Sequence, residues 1–271
     1  MLGCAVIGTG RMGLAHARVW QQLPTTHLVA VYDVDADRAA QVASELDCQA
    51  DASLQALLER DEVDIVSVCT PDDAHVEPCL AAAAAGKHIL LEKPLATTTA
   101  DADRIIAAAE GAGVKLMVGQ ILRFDPHYAV AYRQAQEGAL GDLIYAYARR
   151  YNLLRDGRRI APHSSVMAFL GIHDLDALQW ITGRRVVRVF AVGASKLMAD
   201  ARADDAIVAT LQFDNGACGC VDTLWVNPEG TVSSLDARME LVGTAGRVDV
   251  RVAHDGVVVS DATRALGLDT T

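Results

Sequence analysis

Cys4-Ala5-Val6-Ile7-Gly8-Thr9-Gly10-Arg11-Met12-Gly13 decides the fold of this 271-residue chain. Four apolar residues read as a short buried strand, and a helix-period stretch from Arg11 to about Gln22 follows. Between them stands G-x-G-x-x-G, and each glycine has a mechanical task there. Gly8 permits the tight turn, Gly10 lets the backbone approach a pyrophosphate, and Gly13 allows close packing of helix on strand. The start of the helix then offers N–H groups and a positive dipole end to phosphate oxygens.

Moving outward, Leu28–Tyr32 reads as a second strand ending at Asp33. A carboxylate there accepts hydrogen bonds from the adenosine ribose hydroxyls and repels a 2′-phosphate, so NAD is expected over NADP. The nearest arginine, Arg38, falls on the next helix. Ala36–Leu46 and Leu54–Arg60 read as helices and Ile65–Cys69 as a strand. An alanine-rich helix over Leu80–Ala85 stops at Gly86, and His88–Leu91 is a strand. A helix over Asp101–Glu110 and a strand over Lys115–Val118 complete the run. Strand and helix alternate with short connections, which specifies a parallel sheet covered on both faces. Residues 1–121 are thus expected to form a Rossmann dinucleotide-binding domain.

Beyond Ile121 the rhythm changes. Leu143–Tyr151, Val186–Val192, Ala206–Phe213, Ala217–Val226, Ser234–Val242 and Arg247–Val252 are strand-like, with one clear helix expected over Ser165–Ile181. Asp214-Asn215-Gly216 is a hairpin signal, and Asn-Gly suits a type I′ turn. Residues 122–271 are therefore expected to be an α+β domain with a large, mostly antiparallel sheet.

Composition narrows the function. The net charge is −11, from 35 acidic and 24 basic residues, which disfavours nucleic-acid and anionic-membrane surfaces. No secretory signal opens the chain and no apolar run is long enough to span a bilayer, so a cytoplasmic protein is expected. Six scattered cysteines without a C-x-x-C pair read as buried thiols, and the eight histidines show no metal-binding spacing.

Glu92-Lys93-Pro94 ends a strand at the carboxyl edge, where doubly wound sheets bind ligands. The lysine is either a partner for the nicotinamide and its substrate or a surface residue. Together with the glycine turn, Cys69-Thr70-Pro71-Asp72-Asp73-Ala74-His75, Arg123-Phe124-Asp125-Pro126, Gly171-Ile172-His173-Asp174-x-Asp176 and Phe213-Asp214-Asn215-Gly216-Ala217, it resembles the glucose–fructose oxidoreductase and inositol dehydrogenase (Gfo/Idh/MocA) family. The likeness runs in order over almost the whole chain.

That resemblance implies an NAD-dependent oxidoreductase acting on a secondary alcohol of a cyclic polyol, sugar or sugar derivative. Lys93 and His173 are the implied catalytic pair. Imidazole titrates near neutrality and suits a general base for the hydroxyl proton, while an ammonium stabilises the developing alkoxide. Thr9, Arg11, Met12, Cys69, Thr70, Pro71, His75, Glu92 and Gln120 are implied around the cofactor, and Arg123, Tyr151 and His163 around the substrate.

Many family members carry an aspartate one helical turn before the histidine, where Phe169 stands here. Asp176 or His163 could substitute, Asp176 being expected instead to keep a structural role; altered catalysis, or a ligand-sensing protein, is the rival reading. Glycoside cleavage through transient oxidation is a third. Arg149, Arg150, Arg155, Arg158 and Arg159 could receive an anionic substrate group, or could belong to a solvated loop or subunit contact. The family assembles through its second-domain sheet, which implies a homodimer or homotetramer. It also usually continues into a further C-terminal helix. Ala262–Asp269 shows no amphipathic pattern, so that helix is expected to be absent, from a short member or an incomplete sequence.

Overall fold

The computed structural model describes residues 1–229, 235–251, 256–261 and 265–268, the last two segments as backbone only. Two compact units result, Met1–Gly119 and Gln120–Thr271, against the expected division at 121–122.

In the first unit, strands and helices alternate: β1 (Leu2–Ile7), α1 (Arg11–Gln22), β2 (Thr26–Tyr32), α2 (Ala36–Leu46), β3 (Gln49–Ala50), α3 (Leu54–Leu58), β4 (Ile65–Val68), α4 (Val76–Ala84), β5 (His88–Leu91), α5 (Thr99–Ala112) and β6 (Leu116–Val118). The sheet order is β3-β2-β1-β4-β5-β6, with every pair parallel. Strand order reverses direction at β1, so the crevice at its carboxyl end is the ligand position of a doubly wound sheet. β1 is apolar throughout because helices cover it on both sides. Ala5 and Ile7 pack with Leu57, Val66 and Leu91 on one face, and Val6 packs with Ala17, Val31 and Val42 on the other. Short polar side chains start the helices. Asp35 accepts from the Arg38 N–H at α2, and Thr98 accepts from the Asp101 N–H at α5.

The second unit holds α6 (Pro126–Gln136), β7 (Leu143–Leu153), α7 (Leu154–Ile160), α8 (Ile172–Thr182), β8 (Val186–Ala194), β9 (Ala206–Phe213), β10 (Cys218–Asn227), β11 (Leu235–Gly243), β12 (Gly246–Arg251), β13 (Gly256–Asp261) and β14 (Ala265–Leu268). Its eight-stranded sheet runs β14-β13-β12-β11-β7-β10-β9-β8. Among the described residues only the β7–β10 pair is parallel. One face carries α6 and α8. Tyr128 and Ala131 from α6, with Ala177, Leu178 and Ile181 from α8, close over Ala146, Ala148, Leu211, Val221 and Met239. Alternation sends Tyr145, Tyr147, Arg149 and Tyr151 of β7 to the other face.

Several expectations need correction. The helix expected over Ser165–Ile181 is not one α-helix: Met167–Gly171 is a π turn, and α8 proper begins at Ile172. Helices α6 and α7 add to the single one expected. Pro126 at the start of α6, capped by the Asp125 carboxylate, is the signal that marks the first of them. The β9–β10 hairpin is not type I′. Asn215 keeps a negative φ, and only Gly216 is left-handed, at 89°. The Gly216 N–H donates to the Phe213 carbonyl, giving a three-residue loop with a bulge at glycine. Asn215 instead spends its side chain on the Leu143 carbonyl and the Ala217 N–H. Of Ala262–Asp269, Ala265–Leu268 forms β14, and the rest lies outside the described residues, as does Val252 at the end of an expected strand.

Candidate active site

The glycine turn has the shape its sequence requires. Gly8 is left-handed, with φ 89°, and a Cβ there would stand 2.8 Å from the Cys69 backbone. A Cβ on Gly13 would fall 1.8 Å from the Gly8 carbonyl oxygen, so glycine is what lets α1 approach β1 this closely. Over Gly10 the situation is the reverse. Nothing lies within 4 Å of where its Cβ would be. The first backbone bond of α1 runs from Leu14 N–H to the Gly10 carbonyl, and no side chain caps the helix. The N–H groups of Arg11, Met12 and Gly13 are thus left to an outside acceptor, beneath open space. A dinucleotide phosphate fits that cradle.

Asp33 is 8% exposed and heavily engaged. Its Oδ2 accepts from Thr9 N–H at 2.7 Å and from Thr9 Oγ1 at 3.0 Å, and its Oδ1 accepts from Asp35 N–H at 2.9 Å. Arg38 grips both oxygens, with Nε at 3.2 Å and Nη2 at 2.8 Å. Burial alone would raise this carboxyl, but Arg38 and the three other donors outweigh it and lower the pKa to about 2. The Asp33 carboxylate is therefore ionised and fixed, with Thr9 serving as its brace.

Cys69, Thr70 and Pro71 follow β4 at the same sheet edge, leading into a short 3₁₀ turn over Asp72–Ala74. Burial, and then the Glu92 carboxylate, push the Cys69 thiol up, so it stays neutral. His75, expected beside the cofactor, is completely buried. Its Nδ1 lies 2.8 Å from the Pro94 carbonyl and its Nε2 lies 3.1 Å from the Thr70 carbonyl. Its ring ties two carboxyl-edge loops together, because both nitrogens are taken by backbone. Glu92 is likewise buried, 6% exposed, and turns inward. It accepts from the Lys93 N–H at 3.1 Å and lies 3.1 Å from His16 Nε2 on α1. His16 was invisible to spacing rules, although it shares the sheet-facing stripe of α1 with Gly13, Ala17 and Trp20.

In the second unit Gln120 precedes a 3₁₀ turn, Ile121–Phe124, that carries Arg123. Arg123 holds Asp176 through two bonds of 2.9 and 2.6 Å and lies over the Trp180 ring. Asp176 thus has the structural role its motif suggests. Asp174, fully buried, receives two bonds of 3.0 Å from Arg150, which also donates to Tyr128 Oη. Burial raises the Asp174 carboxyl while Arg150 opposes it. This pair anchors α8, and hence His173, to β7. Phe169 lies in the π turn and packs with Ile160, Val166, Leu170 and Trp225. The wide turn alters the one-turn relation between Phe169 and His173.

One expected group is placed elsewhere. Tyr151 is on the sheet face opposite α8, its hydroxyl 2.5 Å from Asp222 Oδ2, so alternation separates it from His173. His163 sits between α7 and the π turn. The arginine cluster is internally neutralised: Arg149 pairs with Asp236, Arg150 with Asp174, Arg155 with Glu229, Arg158 with Asp200 and Arg159 with Asp156. Arg155, Arg158 and Arg159 belong to α7 rather than to a loop. Among the described residues no cluster of three potential metal ligands occurs.

Known proteins place this arrangement in context. Residues 2–120 match the model of an oxidoreductase family with an NAD-binding Rossmann fold, and residues 128–249 match the GFO/IDH/MocA C-terminal domain. Myo-inositol 2-dehydrogenase of Thermotoga maritima is 31% identical over 269 residues, covering 94% of this chain and 77% of that protein. The NAD(+)-dependent scyllo-inositol 2-dehydrogenase of Bacillus subtilis is 30% identical over 266 residues, covering 96% and 77%. Among solved structures, UDP-N-acetylglucosamine 3-dehydrogenase of Acidithiobacillus ferrooxidans superimposes with a TM-score of 0.85 at 31% identity, over 99% of this chain and 82% of that one. With both of its domains matched and its dinucleotide turn intact, the chain belongs to the GFO/IDH/MocA family of NAD-binding oxidoreductases.

Proposed function

We propose that this chain is an NAD-dependent dehydrogenase that interconverts a ring secondary alcohol and its ketone on a cyclic polyol or sugar. The observation that carries this is the Asp33 carboxylate, ionised and braced beside the open phosphate cradle, in a chain whose inositol- and sugar-oxidising relatives match it along nearly its whole length. NAD, when bound, would supply the oxidant as the hydride acceptor for the carbinol carbon. The chain's own residues bind it and handle the proton. The N–H groups of Arg11, Met12 and Gly13 receive the phosphates, and Asp33 receives the ribose hydroxyls. His173 takes the hydroxyl proton as hydride leaves, and the Lys93 ammonium stabilises the oxygen as its charge develops. In reduction the same two groups polarise and protonate the carbonyl.

The substrate in this reading is neutral, because each guanidinium of the Arg149–Arg159 cluster already holds a carboxylate. Self-association through the sheet face away from α6 and α8 belongs to the same proposal, since that face exposes Tyr145, Phe190, Val192 and Val208. Six free cysteines fit a reducing compartment, the cytoplasm. No helix among the described residues is long and apolar enough to cross a membrane.

The test is NADH formation from NAD with a panel of inositols, aldoses, sugar acids and sugar phosphates. Turnover is expected on a neutral polyol or sugar, with Lys93→Ala and His173→Ala each lowering kcat by about 10³-fold or more. Silence across the panel with NAD binding intact overturns the dehydrogenase reading.

A further inference from the structure

A buried hydrogen-bond chain crosses the first unit from α1 to the end of β5. Trp20 Nε1 donates to Ser67 Oγ at 2.8 Å, Ser67 Oγ lies 3.1 Å from His16 Nδ1, and His16 Nε2 lies 3.1 Å from Glu92 Oε1. Ser67 is fully buried, and the His16 and Glu92 side chains are 16% and 9% exposed. One assignment satisfies every polar atom with a neutral imidazole. The indole gives to the hydroxyl, the hydroxyl gives to Nδ1, and Nε2–H gives to the carboxylate. The chain therefore ends on Glu92, whose other oxygen accepts the N–H of Lys93.

We propose that His16 is a positioning residue for Lys93 and acts through Glu92. Glu92 alone could turn about three side-chain torsions. With one oxygen held by His16 and the other by the Lys93 N–H, its carboxylate fixes the backbone from which the lysine side chain departs. His16 stands on the same helix whose first turn forms the phosphate cradle, so α1 carries both the cofactor cradle and the anchor of the lysine. The catalytic importance of Lys93 rests on the proposed dehydrogenase reading; its anchorage does not.

Two readouts test this, one of them independent of turnover. In cofactor-free protein, acetic anhydride labelling is followed peptide by peptide. His16→Ala is expected to change the labelling rate of Lys93 at least about threefold while leaving Lys87 and Lys115 unchanged. His16→Gln, whose amide can still donate to Glu92, is expected to restore it. In turnover with the substrate found, His16→Ala lowers kcat about tenfold or more, with substrate KM and the Kd for NAD moving less than about threefold. The double variant His16→Ala/Glu92→Gln falls no further than the worse single one. An unchanged Lys93 labelling rate overturns the proposal. So does a His16→Ala defect that weakens NAD binding as much as kcat and that glutamine fails to rescue, since that marks a merely structural role. If wild type turns over no substrate, the dehydrogenase reading falls and the labelling arm still decides whether His16 positions Lys93.

Discussion

In the proposed reading Asp33 couples cofactor choice to acid stability in one side chain. Its carboxyl has a folded pKa of about 2 against an ordinary value of 3.8. A depressed carboxyl stabilises the fold above the unfolded value, and that contribution is lost as pH falls through the folded one. Solvent screening leaves about 1–2 kcal/mol from this group, lost between about pH 4 and pH 2. Urea unfolding of wild type and Asp33→Asn across that range should show the shallower acid limb in the variant. The same substitution removes the group that repels a 2′-phosphate and releases Arg38 to meet one. The ratio of kcat/KM for NAD over NADP is expected to fall at least about tenfold. The place of Asp33 was readable from sequence because it directly follows the second strand, a local relation. The contact of His16 with Glu92 was not, because 76 residues separate the partners and nothing nearby marks them.

Within the β1–α1 turn, two glycines only a few residues apart give opposite expectations. Gly13→Ala drives a methyl into the Gly8 carbonyl, which cannot yield without moving the strand or the helix. It should cost at least about 2 kcal/mol, together with NAD binding. Gly10→Ala meets only open space and should leave thermal unfolding unchanged, while lowering NAD affinity about tenfold or more by isothermal titration. The β7–α8 junction makes a second case. Arg150→Met strands the buried Asp174 charge and is expected to destabilise by about 3–5 kcal/mol in urea. Adding Asp174→Leu should recover most of that loss, because the lone charge is then gone. At this scale the alternation of the first unit was legible in apolar runs ended by glycine, aspartate and threonine. The π turn was not, since apolar residues keep a helical spacing through it. Nor was α7, whose arginines suggested a solvated loop until their partners were seen at Asp200, Glu229 and Asp156.

For the molecule as a whole, the proposed self-association rests on the eight-stranded sheet. Its open face carries Phe190 at 69% and Val192 at 60% exposure, an apolar patch that water disfavours. Phe190→Asp with Val192→Asp is expected to convert an oligomer to monomer in sedimentation velocity while leaving the unfolding midpoint of the first unit in place. The sheet's order also has a consequence for synthesis. β7 is an inner strand, yet both strands that flank it, β10 and β11, come much later in the chain. Tyr151 waits for Asp222, 71 positions downstream. At about 5–20 residues per second the ribosome takes roughly 4–14 s over those positions alone. During this interval the first unit can already close on itself, whereas the nascent second unit presents an unpaired strand with one largely apolar face to chaperones.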